Sequence, residues 1–428
     1  MRVLVIGATG LIGRAVLVRL LEDGHELTAV ARGIAGARRA IPGARWVSLD
    51  LARARPDAWA PHLAGIAAVV NCAGAFQHGP GDDLAGVHAG GLARLLQACR
   101  EAGVRRFIHL SAVGVEQPAS AFSATKREGE RLVMDAPLDW VILRPSVVLG
   151  RPAFGGSALI RGLAALPWLP VMPDTGPIQT IQLDDLVETV QIFLRPDAPA
   201  RIALEVTAPG RLAFADIVRL YRAWLGWGAP RPVRLPRGMA ALLYRLGDFA
   251  GWLGWRPPLR STAEAELRRG AAGDPGPWMR LAGIVPRPLE AALAAEPASV
   301  QERWFAGLYL LKPATIAVLA LFWVFTALIS VGPGYAEAIA LMREAGAGAL
   351  SGPAVIAGAI ADLLIGLAIA CRRSARAGLL AAVALSVFYL IAGTLLLPQL
   401  WIAPLGPLAK VVPILLLHLV ALATLEER

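Results

Sequence analysis

Residues Met1 to Gly13 read M-R-V-L-V-I-G-A-T-G-L-I-G, an apolar run that passes straight into three glycines and then into a helical pattern. A pyrophosphate reaches the backbone N–H groups at a helix N-terminus only where side chains are absent, and Gly7, Gly10 and Gly13 keep the turn tight and the approach open. The helix dipole favours negative charge at the same place. An amphipathic helix follows over Leu11 to Leu21 and a second strand over Glu26 to Ala31, so the glycines sit in the strand–turn–helix setting that dinucleotide binding needs. Gly7, Thr9, Gly10, Leu11, Ile12 and Gly13 are the expected phosphate cradle.

Just beyond the second strand, about 20 positions after the glycines, such folds place the residue that meets the adenosine ribose. Here it is Arg32. An acidic residue accepts from a ribose 2′-hydroxyl, whereas arginine suits a 2′-phosphate, so the expected cofactor is NADP, with Arg38 or Arg39 as helpers. The competing reading is an ordinary surface arginine, which leaves NAD as the cofactor. The third strand ends in V-S-L-D-L, with Asp50 expected near the adenine, and the fourth in V-V-N-C-A-G, with Asn71, Ala73 and Gly74 along the cofactor ribose.

The spacing G-x-x-G-x-x-G resembles the extended and atypical short-chain dehydrogenase/reductases, and the endings of the third and fourth strands resemble the matching motifs of that family. A fifth strand, Arg106 to Leu110, leads to Ser111, and a sixth gives I-L-R-P-S-V-V-L-G, similar to the R-P-x-x-V-x-G motif of extended members through Arg144, Pro145 and Gly150. I-Q-L-D-D-L-V resembles the V-x-D-x-A segment, with Asp184 and Asp185 expected as helix caps rather than catalytic groups. The resemblance covers roughly residues 1 to 225 and implies an α/β Rossmann fold, a doubly wound parallel sheet, in which Pro145 lies against the cofactor.

One departure outweighs these matches. The family's reaction uses a tyrosine four residues before a lysine, because the ammonium lowers the phenol pKa and the tyrosine passes a proton to or from the substrate oxygen. This chain reads A-F-S-A-T-K, with Lys126 in place and Phe122 at the tyrosine position, and its first tyrosine is Tyr221. Lys126 is left to hold the nicotinamide ribose, and Ser111 or Ser123 to relay a proton through water. The alternative is a site that binds NADP(H) without turnover, as in NmrA-like sensors and the Rossmann-type accessory subunit of respiratory complex I, which the pattern also resembles.

Composition supplies the second large fact: 56% of the 428 residues are hydrophobic, 17% are charged and the mean hydropathy is +0.55, too apolar for a wholly soluble chain of this length. The excess lies in four nearly uncharged runs, 313–331, 353–371, 377–397 and 408–425. Each is near the roughly 20 residues that cross a bilayer core. Arg372, Arg373 and Arg376 follow the second run, whereas Arg343 before it stands beside Glu337 and Glu344, so the arginine-rich turn is expected on the cytoplasmic side, as is Lys312 at the start of the first run. Both termini are then cytoplasmic, in a multi-pass protein of the inner membrane without a signal peptide.

The net charge of +10 is scattered without a groove-reading motif, so an anionic membrane surface explains it better than nucleic acid does. Cys72, Cys99 and Cys371 show neither metal nor disulfide spacing, and no metal site is expected.

Residues 154–174, rich in Leu and Pro with Trp168, fall where extended members insert substrate elements, and their character suggests a greasy substrate or a lid. From Gly238 to Trp255, Met239, Leu242, Leu243, Leu246, Phe249, Trp252 and Leu253 recur at helical spacing. Such a stripe is ordinary core or, with Trp252, Trp255 and nearby arginines, an interfacial helix. Residues 257–303, dense in Pro, Gly and Ala, are expected to be a linker folding back on the domain. The domains are then a Rossmann domain with substrate elements over 1–225, an α-rich extension over 226–303 and an all-α four-helix membrane bundle over 304–428.

G-P-G-Y-A-E-A and L-G-P-L-A-K make that last block similar to the DoxX-like family, small bundles linked in some members to quinone and sulfur redox chemistry. Asp362, Tyr389 and His418 fall at similar depth on three runs, as a cluster for a proton or a quinone head group or as a hydrogen-bond network holding the bundle together. The expected activity is an NADP(H)-dependent oxidoreductase acting on a hydrophobic membrane-held substrate such as a quinone or isoprenoid. The alternatives are a non-catalytic NADP(H) module reporting to the bundle, or a bundle acting as a transporter or assembly factor. Oligomeric state is not legible in the sequence.

Overall fold

The computed structural model describes residues 1–79 and 82–425. They form two compact units, one of described residues within 1–248 with 257–306, the other of 249–256 with 307–425.

The first unit begins with alternating strands and helices: β1 (Arg2–Ile6), α1 (Leu11–Glu22), β2 (Glu26–Ala31), α2 (Ala35–Ala40), β3 (Arg45–Ser48), α3 (Pro56–Leu63), β4 (Ala68–Asn71), α4 (Gly91–Glu101), β5 (Arg106–Leu110), α5 (Ala121–Met134) and β6 (Asp139–Pro145). It continues with β7 (Val147–Leu149), α6 (Gly156–Ala164), β8 (Trp168–Val171), β9 (Thr180–Gln182), α7 (Leu183–Leu194), β10 (Ile202–Val206), α8 (Phe214–Trp224), β11 (Arg231–Arg234) and α9 (Arg237–Trp252), whose residues from Phe249 on belong to the second unit. Three short helices follow, α10 (Ser261–Arg269), α11 (Gly276–Ala282) and α12 (Leu289–Ala295).

Seven strands form one parallel sheet in the order β10-β6-β5-β4-β1-β2-β3. Val3, Leu4 and Val5 are all fully buried, because a parallel sheet is covered on both faces and its strands read as unbroken apolar runs. One core packs Val16, Leu17 and Leu20 of α1 with Leu186 and Val190 of α7. The other packs Trp59 and Leu63 of α3 with Leu92 and Leu95 of α4. Chain order reverses between β1 and β4, which opens the crevice at their carboxyl ends where this fold takes ligands. Ile6 stands opposite Asn71 at that point.

Three regions sharpen the sequence reading. Within residues 257–303, Pro275 and Pro288 stand at the N-caps of α11 and α12, so the prolines start short helices, and Trp278 of α11 is fully buried with its Nε1 donating to Thr189 Oγ1 at 3.0 Å. Asp184 and Asp185 do not cap α7. Its N-cap is Gln182, and both carboxylates lie in the first turn, where the helix dipole favours them. The apolar stripe of α9 is not core: Met239, Leu242, Leu246, Phe249 and Trp252 are exposed, while Ala240, Tyr244 and Gly251 are buried.

The second unit contains most of α13 (Val300–Val331), then α14 (Tyr335–Glu344), α15 (Ser351–Ala370), α16 (Ala375–Leu396) and α17 (Val411–Thr424). Three of its apolar helical stretches, Val300–Val331, Gly348–Ala370 and Ala375–Leu396, are long enough to cross a membrane. The fourth expected span is the shorter α17, whose 14 residues rise about 21 Å. Small residues bring the helices together: a methyl on Gly366 would lie 2.9 Å from Ala320 O, and one on Gly378 2.8 Å from Ile369 N. Leu321, Phe325, Leu364, Phe388 and Leu395 point outward and are exposed, as lipid-facing side chains are.

Candidate nucleotide site and membrane polar groups

The glycine turn is built by contacts that a side chain would destroy. Gly7 has φ +74° and its missing methyl would sit 2.8 Å from Ala73 N; that of Gly13 would sit 2.3 Å from Gly7 O. Gly10 is the N-cap of α1 and makes no side-chain cap, so the first-turn N–H groups of Leu11, Ile12 and Gly13 face outward without a capping side chain. A methyl on Gly10 would meet only Gly7 O, at 3.3 Å, which leaves open space beside those donors. Thr9 stands half-buried at the lip of this cradle. These residues fit a dinucleotide phosphate.

Around the cradle, Asn71 is fixed by two bonds: its Oδ1 accepts from Ala73 N at 3.1 Å and its Nδ2 lies 3.2 Å from His109 Nδ1. Asp50 is held in a local turn by Ala52 N at 3.1 Å. Arg32 forms an ion pair with Asp82 at 2.9 Å, a partner the sequence reading did not foresee. Arg38 and Arg39 lie exposed on α2. Pro145 is buried at the end of β6, its carbonyl accepting from Val113 N at 3.1 Å.

Helix α5 carries Phe122 and Lys126. Lys126 is buried and its Nζ donates to Leu110 O at 2.7 Å; a methyl on Gly74 would lie 3.4 Å from that nitrogen. Burial pushes the ammonium down to about 8, against the opposing pull of Glu130 and Cys72. Glu130 lies one turn on and takes both prongs of Arg144, Nε at 2.9 Å and Nη2 at 2.7 Å, so the arginine of the R-P motif braces α5 against β6. Burial pushes the Cys72 thiol up to about 12, which leaves it unreactive.

Phe122 is half-buried, its ring centroid 4.9 Å from that of Phe76 and 5.8 Å from that of His88. His88 stands in a single π-helical turn, Gly86–Gly90, ahead of α4. Its Nε2 accepts from Ala75 N at 3.2 Å, so the ring proton lies on Nδ1, 2.9 Å from Thr125 Oγ1. Burial, reinforced by Lys126, holds its pKa down to about 2. This histidine is a neutral spacer with both nitrogens engaged, and it does not replace the missing tyrosine as an acid.

The two serines have separate fates. Ser111 Oγ and His109 Nε2 are buried and have no hydrogen-bond partner among the described residues. Ser123 Oγ instead accepts from Ala119 N and Ser120 N at 2.9 and 3.1 Å and donates to Glu266 Oε1 at 2.7 Å, in the capping box of α5. Its hydrogen bonds hold the helix start, which takes it out of the relay expected from the sequence. Glu266 also accepts from Ser120 Oγ at 2.5 Å, and its other oxygen is 2.7 Å from Arg269, whose guanidinium donates to Val113 O and Gly114 O. Helix α10 thus locks the start of α5, a role that sequence spacing did not disclose.

In the second unit, Tyr389 Oη donates to Asp362 Oδ1 at 3.3 Å. His418 is elsewhere engaged: Trp323 Nε1 donates to its Nε2 at 2.9 Å, and its Nδ1 lies 2.7 Å from Ile414 O. The structure therefore separates Asp362, bonded to Tyr389 and Thr326, from His418, bonded to Trp323, and the sequence reading lacked both Thr326 and Trp323.

Residues 7–162 match the NAD(P)H-binding family, and residues 320–419 match the DoxX-like family. The chain spans about a quarter (24%) of the length of the mycobacterial proteins of uncharacterized function that it matches at 28% identity over 235 residues. It is 29% identical over 311 residues to a 3-diazoavenalumate denitrifying reductase of Streptomyces, covering 64% of this chain and 93% of that one. It is 26% identical over 240 residues to the ceramide reductase of Caulobacter vibrioides, covering 55% and 73%. The fold is that of WbmG of Bordetella bronchiseptica solved with NAD, with TM-score 0.55 at 18% identity, covering 72% of this chain and 95% of that one.

Proposed function

We propose that this chain, an NAD(P)H-binding Rossmann domain carried with a DoxX-like membrane domain, is a membrane-anchored NADP(H)-dependent oxidoreductase of the atypical short-chain type acting on a hydrophobic substrate held in the bilayer, such as a quinone or isoprenoid. The observation that supports this reading lies on α5: Phe122, at the position where the family's reaction has a phenol, packs on Phe76 as an apolar wall, and Lys126, one turn on, is buried. Such a wall binds an apolar molecule better than a sugar. That two curated relatives bear the name of reductases supports the reaction class.

A dinucleotide with its phosphates in the glycine cradle would supply a hydride from its nicotinamide. The residues of this chain would hold it: Gly7, Gly10 and Gly13 would admit the phosphates, Asn71, Ala73 and Gly74 would meet the ribose, and Asp50 the adenosine end. Ser111 Oγ, unpartnered and buried, is placed to hydrogen-bond a substrate oxygen. Lys126, with its ammonium near neutrality, gives up the proton that Phe122 lacks. Arg32 would meet the 2′-phosphate of NADP in competition with the Asp82 carboxylate that it already holds. Tethering the site to the bilayer raises the effective concentration of a lipid-soluble substrate. The reading places the N-terminal domain in the cytoplasm, with Arg372, Arg373 and Arg376 on the same side of the inner membrane.

The second reading, a non-catalytic NADP(H) module, is favoured by the engagement of both His88 nitrogens and of Ser123, which leaves few acids near Phe122. Deuterium transfer from nicotinamide-labelled NADPH into the lipid extract of membranes holding the protein separates the two. Label in a single lipid, absent with Gly10→Arg, is the expected result; NADPH binding with no transfer would replace the oxidoreductase by the module.

A further inference from the structure

Helix α9 is inverted relative to a helix of a soluble domain. Its inner face is made of small or polar-tipped residues, Ala240, Tyr244 and Gly251, together with Gly247, on which a methyl would lie 1.8 Å from Leu259 O. Its outer face carries Met239, Leu242, Leu246, Phe249 and Trp252, with Trp252 at 75% exposure and Phe249 at 58%. The outward set recurs at intervals of three and four residues, so it forms one stripe. The same surface character continues on the ribbon that leads into the helix, where Trp168 of β8 and Val233 of its partner strand β11 are exposed. A contiguous apolar stripe of this kind is an interaction surface.

What covers it is indicated at its C-terminal end. Residues 249–256 belong to the compact unit of the apolar helices. There Leu253 O accepts from Arg372 N at 3.0 Å, Trp255 Nε1 donates to Ala370 O at 2.7 Å, and the Arg372 guanidinium lies 5.5 Å above the Trp255 ring. Ala370 ends one of the apolar stretches long enough to cross a bilayer, and Arg372 and Arg373 follow it. That is the depth of lipid headgroups, where tryptophan and arginine both concentrate. Arg245 and Arg256 are exposed along and just after α9, which suits a negatively charged surface, while Arg237 at its start is also exposed and pairs with Asp174.

We propose that α9 lies in the membrane interface, with its Met239 to Trp252 stripe among the upper acyl chains and its arginines on anionic headgroups. The occupant of this face is the bilayer itself, so the nucleotide-binding unit is held to the membrane by an interfacial helix as well as by the spans. The inference does not depend on the reaction proposed above.

The test uses the full chain in vesicles of phosphatidylcholine and phosphatidylglycerol doped with a lipid that carries a photoactivatable diazirine on its acyl chain, with adducts mapped by mass spectrometry. Adducts on residues 238–252, in addition to those on the spans, are expected. The triple variant Leu242→Glu, Leu246→Glu, Phe249→Glu, confined to exposed positions, should lower them at least tenfold while leaving span adducts unchanged. Omitting phosphatidylglycerol should lower them severalfold. Adducts on the spans alone, or protein–protein crosslinks joining this helix in two copies, would overturn the proposal.

Discussion

The nucleotide-site strands and the membrane helices both bury polar side chains, but they treat them differently. At the end of β5, His109 Nε2 and Ser111 Oγ are buried without a partner among the described residues. Among the apolar helices, Asp362 is matched by Tyr389, and His418 by Trp323 and Ile414 O. A buried polar group left unmatched costs about 1–3 kcal/mol, and a folded chain tolerates that where a ligand supplies the missing bond. The contrast teaches that an unmatched group beside the glycine turn leaves a bond for a ligand to supply, whereas one shut in the core, such as Trp59 Nε1, does not. On this argument Ser111 is the group that the proposed reaction leaves free for a substrate, whereas Lys126, already bonded to Leu110 O, and the Asp362–Tyr389 pair are matched.

The largest expected effect that would break this contrast is at Lys126. Lys126→Met should lower hydride transfer by about 10²–10⁴-fold, the usual worth of a general acid. In the parent protein the rate should fall as pH rises through about 8, where the ammonium loses its proton. Stability moves the other way. The folded-state value lies below the ordinary 10.5, so between about 8 and 10.5 the unfolded chain binds more protons and stability rises with pH. A pH titration of thermal unfolding should show this rise in the parent and lose it in Lys126→Met; identical profiles would deny the lysine its burial cost.

Next in size is Phe122→Tyr, which restores a phenol four residues before Lys126. Turnover should increase by about tenfold or more if a substrate carbonyl reaches this wall. An unchanged rate in an active enzyme would remove Phe122 from the explanation. The smallest effect is expected at the matched pair. In Asp362→Asn the amide oxygen still accepts from Tyr389, so unfolding of the membrane domain should shift by about 1 kcal/mol or less, with NADPH affinity unchanged. A loss of turnover beyond tenfold in a well-folded variant would move the pair from architecture to chemistry.

Helices α8 and α9 show how far the sequence could be read. Both have apolar residues at helical spacing, yet Ile217, Val218 and Tyr221 of α8 are buried and the corresponding stripe of α9 is exposed. Periodicity identifies the apolar face of a helix, whereas what covers that face depends on partners elsewhere in the chain or outside it. The glycine turn was legible because its chemistry is local: strand, Gly7, Gly10, Gly13 and helix are consecutive. The bracing of α5 was not, since Glu266 reaches Ser120 and Ser123 across more than 140 positions, and Arg144 meets Glu130 only once β6 lies beside the helix. His88 was overlooked for the same reason. Its partners Ala75 and Thr125 flank it in space from opposite directions along the chain.

The brevity of α17 has a mechanical consequence. Beside three longer apolar stretches, a helix of only 14 residues presents a shorter hydrophobic height on one side of the protein than on the others. Where such a helix faces lipid, adjoining chains shorten or tilt, at an elastic cost of fractions of a kcal/mol per Å of mismatch. In a bilayer, an annulus thinned along α17 would make acyl-chain length at that flank one determinant of which membrane the proposed spans prefer.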